Sequence, residues 1–466
     1  MPKAKLGAGL GRRAAHDPRA AALLAAGKVI YGTDESQSAL DAVLTHTLMP
    51  PSDKALCTEL FYGHLRLHLR LDWFVRQKLH RPENLPAELL LLLEQSAYAL
   101  AHTRLPAHAT VNWAVGMARH RFSPGLGNLT NALLRSFVRN LRTEYLNHDY
   151  YAQKLAQPLH STDVTALIYA QPSWLVQLWQ KSYGHEICLK LLAAGLKTPP
   201  AGLRMNAARP PAPELMESLA PRGTIPYAEG VLEQIWPYHP LSLPPSCLAL
   251  PPGKRPPLRI WQEQGMISLQ SASAYIALFQ LIPTDWPTPI WDACAGHGGK
   301  TLALLEQGLP IQCVSDPHQG RLNLFAHDFQ RLKLAEAGRR LPQILPSRAE
   351  QTNFKQKFAS VLLDAPCSGL GTLARRPEIR WRRTQDDLER LRLAQVQILD
   401  AAHAALIPHS GCRILYITCT LNPAENQNQM QNFLRSHPQY SLDIEYQTPP
   451  DSPLGEFFYS AALIRK

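Results

Sequence analysis

The chain of 466 residues predicts an α/β protein: a doubly wound parallel sheet in its C-terminal part, preceded by an all-α region and a small mixed connector. Three observations predict it. From about residue 261, short Val/Ile/Leu-rich runs ended by Pro, Gly or Asn alternate with helix-periodic segments, the pattern of β-α-β units around a buried sheet. Residues 1–150 carry apolar positions at helical spacing throughout. Between them, over 151–260, proline pairs interrupt weaker periodic signals. The expected domains are therefore 1–150, 151–260 and 261–466, because a chain of this length outgrows a single core.

The helices of the first region are ALDAVLTHTLM, ALCTELFYGHLRLHLRLDWFVRQKL, ELLLLLEQSAYALAHT, TVNWAVGMARHRF and LTNALLRSFVRNL. Breaks fall at Pro50-Pro51-Ser52-Asp53, Pro82, Pro106 and Ser123-Pro124-Gly125, where proline opens a helix or forbids its continuation. ELLLLLEQSAYALAHT is the most apolar stretch, yet Glu94, Gln95 and His102 make it a buried bundle helix and not a membrane span. In the connector, GLRMN reads as a strand opening and SWLVQLWQKSY as an amphipathic helix; proline pairs at 199–200, 210–211, 244–245, 251–252 and 256–257 mark loops. In the last region TPIWDACAG, IQCVSD, ASVLLDAPCSG and CRILYITCT are strands. ALLEQ, GRLNLFAHDFQRLKLAEAG, QDDLERLRLAQVQILDAAHAALI and AENQNQMQNFLRSH are the helices that follow them.

Composition narrows the class. Lys+Arg 48 against Asp+Glu 37 gives a net charge of +11, which favours polyanionic partners. Eight cysteines without CxxC spacing argue against structural zinc and a secreted disulfide framework, and for a reducing cytoplasm. Among 18 histidines no HExxH or comparable ligand spacing stands out, so no metal is expected. The basic N-terminus has no apolar region followed by a cleavage site, so neither secretion nor a membrane partner is expected. The expected state is a monomer.

Chemistry collects beyond the carboxyl ends of the strands in such a sheet. Two thiols are delivered there, Cys367 after VLLDAP and Cys419 after ILYIT. Either alone reads as a packing residue, since free cysteine is among the most buried types. The first strand runs into Asp292-Ala293-Cys294-Ala295-Gly296-His297-Gly298-Gly299-Lys300-Thr301, a glycine turn that lets backbone amides approach a ligand at a helix N-terminus. The second ends at Asp316, where a carboxylate can accept hydrogen bonds from ribose hydroxyls. Strand, glycine turn, helix, strand and acid form a nucleoside-cofactor arrangement. The glycine spacing matches neither a P-loop nor a dinucleotide fingerprint. The basic run Arg375, Arg376, Arg380, Arg382 and Arg383 around Trp381 is either a solvated loop or a phosphate contact.

DACAGHGGKT, DAPCSGLGT with RRPEIRW behind it, and YITCTLNPAEN resemble, in order and spacing, the successive motifs of the Sun family of RNA (cytosine-5) methyltransferases. ASAYIAL upstream and GEFFYSAALIRK at the end resemble that family's flanking segments. DKALCTELFYGHLR, LDWFV, TRLPAHATVNWAV, GNLTNALLRSF and PSWLVQLWQKSYG resemble the NusB-like RNA-binding domain fused to the catalytic domain in the branch that methylates bacterial 16S rRNA.

The resemblance implies a Rossmann-like methyltransferase domain using S-adenosylmethionine, with 16S rRNA or a small-subunit precursor as partner. It implies Cys419 as the nucleophile that adds to carbon 6 of cytosine, Cys367 as the thiol that assists release, and Asp364 beside the methionyl end and the base. A protonated Asp364 carboxyl would stabilise the adduct. Cys294, Ala295, Gly296, His297, Gly298, Gly299, Lys300, Asp316 and Asp364 are the implied cofactor contacts. Lys300 and Arg375 or Arg380 are candidate cations to favour the thiolate.

Three positions depart from the family. Gly296-His297 replaces an Ala-Pro pair, Gln270-Ser271 replaces Gln-Asp, and Leu345-Pro346-Ser347-Arg348-Ala349-Glu350 lacks the aspartate that reads adenine. These departures keep a second class open, a catalytically weakened RNA-binding or ribosome-assembly protein of the same fold.

Overall fold

Among the described residues up to Leu196, proline and polar caps set off the α-helices α1 (Ala8–Ala14), α2 (Pro18–Ile30), α3 (Ser36–Leu44), α4 (Pro51–Gln77), α5 (Ala87–His102), α6 (Ala107–Arg121), α7 (Pro124–Ser136), α8 (Arg142–Leu146), α9 (His148–Leu155), α10 (Thr162–Ile168) and α11 (Ser173–Leu196). The computed structural model describes residues 8–209, 247–250, 258–281, 286–352, 354 and 356–466. The first basic residues and the proline pairs at 210–211, 244–245, 251–252 and 256–257 lie outside them. Two compact units result: the chain up to Leu196 with Leu373–Arg382, and Lys197–Thr372 with Arg383–Lys466. The stretch expected as one connector is thus shared, α9 to α11 belonging to the helical unit and the strands after it to the second.

In the helical unit, α5 is its most buried helix, with every residue from Leu89 to Ala101 buried. Each of its leucines contributes roughly 1.5–3 kcal/mol by leaving water. Asp17 caps α2 through the N–H of Arg19 (2.9 Å) and also accepts from Trp113 Nε1 (2.6 Å), tying α2 to α6. Arg70 is buried and satisfied by the Tyr151 hydroxyl (2.9 Å) and the carbonyls of Tyr145 and Ile168, with its guanidinium 4.4 Å from the Tyr145 ring.

The basic run is mostly absorbed by this unit. Arg380, 1% exposed, donates to the carbonyls of Gly195 (2.6 Å) and Leu373 (2.8 Å). Arg382 donates to those of Val29 (2.6 Å) and Asp34 (2.7 Å), and Arg376 pairs with Glu35 (2.7 Å). Trp381 meets His68 edge-on at 5.0 Å. A buried guanidinium must satisfy its donors internally. Arg376, Arg380 and Arg382 therefore hold the segment Leu373–Arg382 in the unit, in place of the solvated loop or phosphate contact expected from sequence.

The second unit contains a three-stranded antiparallel sheet, β1 (Ala201–Met205), β2 (Cys247–Leu250) and β3 (Ile267–Leu269), in the order β2-β1-β3. Its main sheet has seven strands: β4 (Ile290–Asp292), β5 (Ile311–Ser315), β6 (Gln343–Leu345), β7 (Ser360–Asp364), β8 (Arg413–Thr418), β9 (Tyr440–Gln447) and β10 (Tyr459–Arg465). The order is β6-β5-β4-β7-β8-β10-β9, parallel except for β10, which is antiparallel to both neighbours. Further helices are α12 (Leu258–Glu263), α13 (Ala272–Phe279), α14 (Gly299–Glu306), α15 (Gln319–Arg331), α16 (Ile379–Arg382, in the helical unit), α17 (Gln385–Ala405) and α18 (Gln427–Ser436).

Strand alternation builds a core on each face. Leu362, Leu415 and Ile417 join the layer of α13, α14 and α15, while Val361, Leu363, Ile414 and Tyr416 join that of α17 and α18. The doubly wound expectation holds. Strands β6 and β9 were not foreseen, the first because three half-exposed residues carry no periodic signal, the second because it is a largely polar edge. GRLNLFAHDFQRLKLAEAG is helical only to Arg331, and Lys333 takes a left-handed φ of 54°.

Candidate active site

The winding direction reverses between β4 and β7, and a crevice opens at the carboxyl ends of strands at such a point. The turn after β4 lies there. Gly296 (φ 56°) and Gly298 (φ 80°) adopt left-handed backbone, and a Cβ on Gly298 would stand 2.2 Å from the Phe325 ring. Above Gly296 a Cβ would meet nothing within 4 Å, so the turn has open space over it. Gly298 is the N-cap of α14 and offers no side chain to the first amides, which stay available to a ligand. The Gly296-His297 departure thus preserves the turn.

Asp292 closes the turn from below: it accepts from the Cys294 N–H (3.2 Å) and the Thr301 hydroxyl. Burial, reinforced by the charge of Asp364, pushes its pKa up to about 7 against those two hydrogen bonds. Cys294 lies at the same turn, and burial plus the carboxylates of Asp292, Asp364, Asp316 and Glu350 raise its pKa well above the ordinary thiol value. It remains a thiol.

Asp316, 5% exposed, follows β5; one of its oxygens accepts the His318 N–H (2.8 Å) and the other is 3.7 Å from Arg321. Lys300 and Asp364 form an ion pair at 2.6 Å. Burial opposes the Lys300 charge, but Asp364, together with Cys419 and Asp292, more than offsets this and raises its pKa.

The two strand-end thiols meet. Cys367 Sγ lies 3.3 Å from Cys419 Sγ, and the Cys419 N–H also points at Cys367 Sγ (3.3 Å). The hydrogen bond to Cys419, burial, and the negative charges of Cys419 and Glu425 together raise the Cys367 pKa well above its ordinary value, against the Cys419 N–H that lowers it; either sulfur can donate to the other.

Glu425, from the NPAEN motif, is fully buried; it accepts from the Ser368 N–H (2.8 Å), Gln395 Nε2 (3.0 Å) and Asn422 Nδ2 (3.0 Å). Ser368 and Thr420 hydroxyls meet at 2.6 Å, and the Gly371 N–H donates to the Cys419 carbonyl (3.0 Å). These bonds lock the loop after β7 to the loop after β8. In the sequence Glu425 is legible only as a member of the NPAEN motif, because two of its partners, Ser368 and Gln395, lie on separate segments.

The other departures also resolve. Ser271 caps α13 through the Ala274 N–H (3.3 Å) and donates to Glu456 (2.9 Å). After β6, where no acidic reader was expected, Glu350 lies within electrostatic reach of Cys294, its carboxylate 3.8 Å from Arg348. Arg380, a candidate cation for the thiolate, belongs to the helical unit with its two terminal nitrogens on carbonyls; in the second unit Lys300 carries charge within electrostatic reach of Cys419. Every sequence-predicted site residue (Cys294 to Lys300, Asp316, Asp364, Cys367 and Cys419) lies at the carboxyl ends of β4, β5, β7 and β8.

A family described as 16S rRNA methyltransferase RsmB/F matches residues 278–456, and the NusB family matches residues 16–139. A ribosomal RNA small subunit methyltransferase B from Cronobacter sakazakii is 31% identical over 448 residues, covering 90% of this chain and 94% of its own length. The protein of that name from an Escherichia coli O127:H6 strain is 32% identical over 436 residues, covering 89% of this chain and 91% of its own. The solved structure of PH0851 superposes with a TM-score of 0.72 at 20% identity over 97% of this chain and 98% of that one, which speaks for the fold. Among the described residues no helix is long and apolar enough to cross a membrane.

Proposed function

We propose a specific reaction for this chain, which belongs to the RsmB/F family of 16S rRNA methyltransferases: transfer of a methyl group from S-adenosylmethionine to carbon 5 of a cytosine in 16S rRNA, through a covalent bond between Cys419 and carbon 6. The observation that carries it is the 3.3 Å approach of Cys367 and Cys419 at the ends of adjacent strands. One thiol suffices for packing; two in contact beside a lysine–aspartate pair suit addition and elimination on a ring.

When bound, S-adenosylmethionine supplies an electrophilic methyl on a sulfonium. Gly296, Gly298 and the free amides of α14 would hold its methionyl end, Asp316 its ribose, and Glu350 is the carboxylate available to the adenine amine. The carboxylates around Cys294 suit a cationic donor.

Carbon 5 of cytosine is a poor nucleophile until a thiolate adds at carbon 6. The ammonium of Lys300 favours a thiolate on Cys419, and Cys367 stabilises it by S–H donation. Asp364, ion-paired with Lys300 at 2.6 Å, is the carboxyl group proposed to meet the base edge and stabilise the adduct. Once Cys419 is bonded to carbon 6, its charge no longer holds the Cys367 proton. Cys367 can then give that proton up to solvent and, as the thiolate, take the proton on carbon 5; the electrons of the C5–H bond form the C5–C6 double bond and expel Cys419 as a thiolate. The base must be unstacked to reach the thiols, and the basic N-terminal half matches a rRNA partner in the cytoplasm.

Incubating the full chain with unmethylated 16S rRNA and labelled S-adenosylmethionine tests this. Label in 5-methylcytosine is the expected product. Absence of transfer across a range of salt concentrations would leave the non-catalytic RNA-binding alternative.

A further inference from the structure

No metal was expected from the sequence, yet HLRLH places His64 and His68 one turn apart on α4, and α5 brings Glu94 to both. Glu94 Oε2 stands 3.0 Å from His64 Nε2 and 2.7 Å from His68 Nδ1. The side chains of His64 and Glu94 are 0% and 1% exposed and that of His68 11%, inside the apolar core of the helical unit.

Two atoms of the cluster are buried without a hydrogen-bond partner: Glu94 Oε1 and His64 Nδ1. As a hydrogen-bond network alone, the cluster leaves a carboxylate oxygen desolvated and idle. The contact of His64 Nε2 with Glu94 Oε2 is a hydrogen bond while Nε2 carries the ring hydrogen, so a cation bound at Nε2 takes the place of that proton, which passes to Nδ1, the ring nitrogen left without a partner.

We propose that His64 Nε2, His68 Nδ1 and both oxygens of Glu94 bind a divalent cation of the zinc class. Two imidazoles and a carboxylate suit a borderline ion, the two Glu94 oxygens sharing one coordination position. Nitrogen and oxygen ligands about 2.0–2.2 Å from a tetrahedral centre lie roughly 3.3–3.5 Å apart. The present 2.7–3.0 Å spacing opens to that with small ring rotations. Asp72, one turn beyond His68, adds negative potential at Glu94 and His68 while paired to Arg76 (2.6 Å). A cation held by three residues from two helices within the core of the helical unit would pin α4 to α5.

The thiol pair could also take zinc, so the test uses the full chain with Cys367→Ser and Cys419→Ser. Purified from zinc-supplemented culture, it should retain one equivalent of zinc. Cobalt substitution should give visible d–d bands without thiolate charge transfer, and chelation should lower the Tm by several degrees. Glu94→Gln keeps the volume and should weaken zinc binding at least 100-fold. The triple change His64→Leu, His68→Leu and Glu94→Met should fold with an apolar core and hold no zinc. Failure to retain zinc in the first protein, or equal zinc in Glu94→Gln, overturns the site and leaves a histidine–carboxylate hydrogen-bond network only.

Discussion

Cys367 Sγ stands 3.3 Å from Cys419 Sγ although 52 residues separate them, and the Cys419 backbone N–H points at the same sulfur. Adjacent parallel strands β7 and β8 bring the two thiols together, and Glu425 fixes the loop between β7 and the first helix after it. Neither thiol is reactive by location alone. Their contact makes the state of one depend on the state of the other.

The two thiols should therefore fail differently. Cys419→Ala should abolish methyl transfer. Cys367→Ala should accumulate a covalent protein–RNA adduct that survives a denaturing gel, because addition proceeds and elimination stalls. An adduct trapped by Cys419→Ala instead reverses the assignment.

Lys300→Met removes the cation beside Cys419 and strands Asp364 without its 2.6 Å partner. Loss of a neighbouring positive charge disfavours the thiolate, so the rising limb of the pH–rate profile should move to higher pH, by about one unit or more. The rate at pH 7 should fall on the order of 10- to 100-fold. A rate loss with an unmoved profile would assign Lys300 to cofactor binding alone.

Gly371 sits where the two catalytic loops cross: a Cβ there would stand 2.0 Å from the Phe457 carbonyl oxygen and 2.9 Å from that of Cys419. Both contacts are backbone and cannot swing aside. Gly371→Ala should force Cys367 and Cys419 apart, lowering activity at least 100-fold with a stability loss of about 1–3 kcal/mol by urea unfolding. Near-native activity would show that the loops tolerate separation.

Asp292 has a folded-state pKa of about 7 against roughly 3.9 in an unfolded chain. The folded protein holds this proton more tightly, so the contribution to stability is complete below pH 4 and declines as pH rises towards 7. The slope is at most about 1.4 kcal/mol per pH unit. Asp292→Asn keeps an acceptor for the Cys294 N–H and should flatten that part of the stability–pH curve. Urea midpoints at pH 5 and pH 7.5 for both proteins measure the difference. Equal slopes would place the buried proton elsewhere.

Much of the fold was legible because local pattern and tertiary role coincide. ELLLLLEQSAYALAHT could only be buried, and VLLD and ILYIT could only be inner strands, since apolar runs of those lengths have no other stable place. Elements whose residues carry no such pattern were missed: β6 is too short and β9 lies at an edge. The basic segment misled for a related reason. Arg380 looks like any exposed arginine until the Gly195 carbonyl, 185 residues away, is seen to receive it.

By itself, the sequence determined the class of protein and the identities of its reactive groups: two thiols, a glycine turn and an acid at strand ends. Those follow from residue type and local periodicity, which short-range sterics and hydrophobic burial dictate. Only the tertiary structure decided how they act on one another. It brought Cys367 against Cys419, tied Asp364 to Lys300, buried Glu425 behind the thiols, and joined Glu94 to His64 and His68. The physical reason is that hydrogen bonding, charge and desolvation act over a few ångströms in space, and no periodicity along the chain records which distant residues will share them.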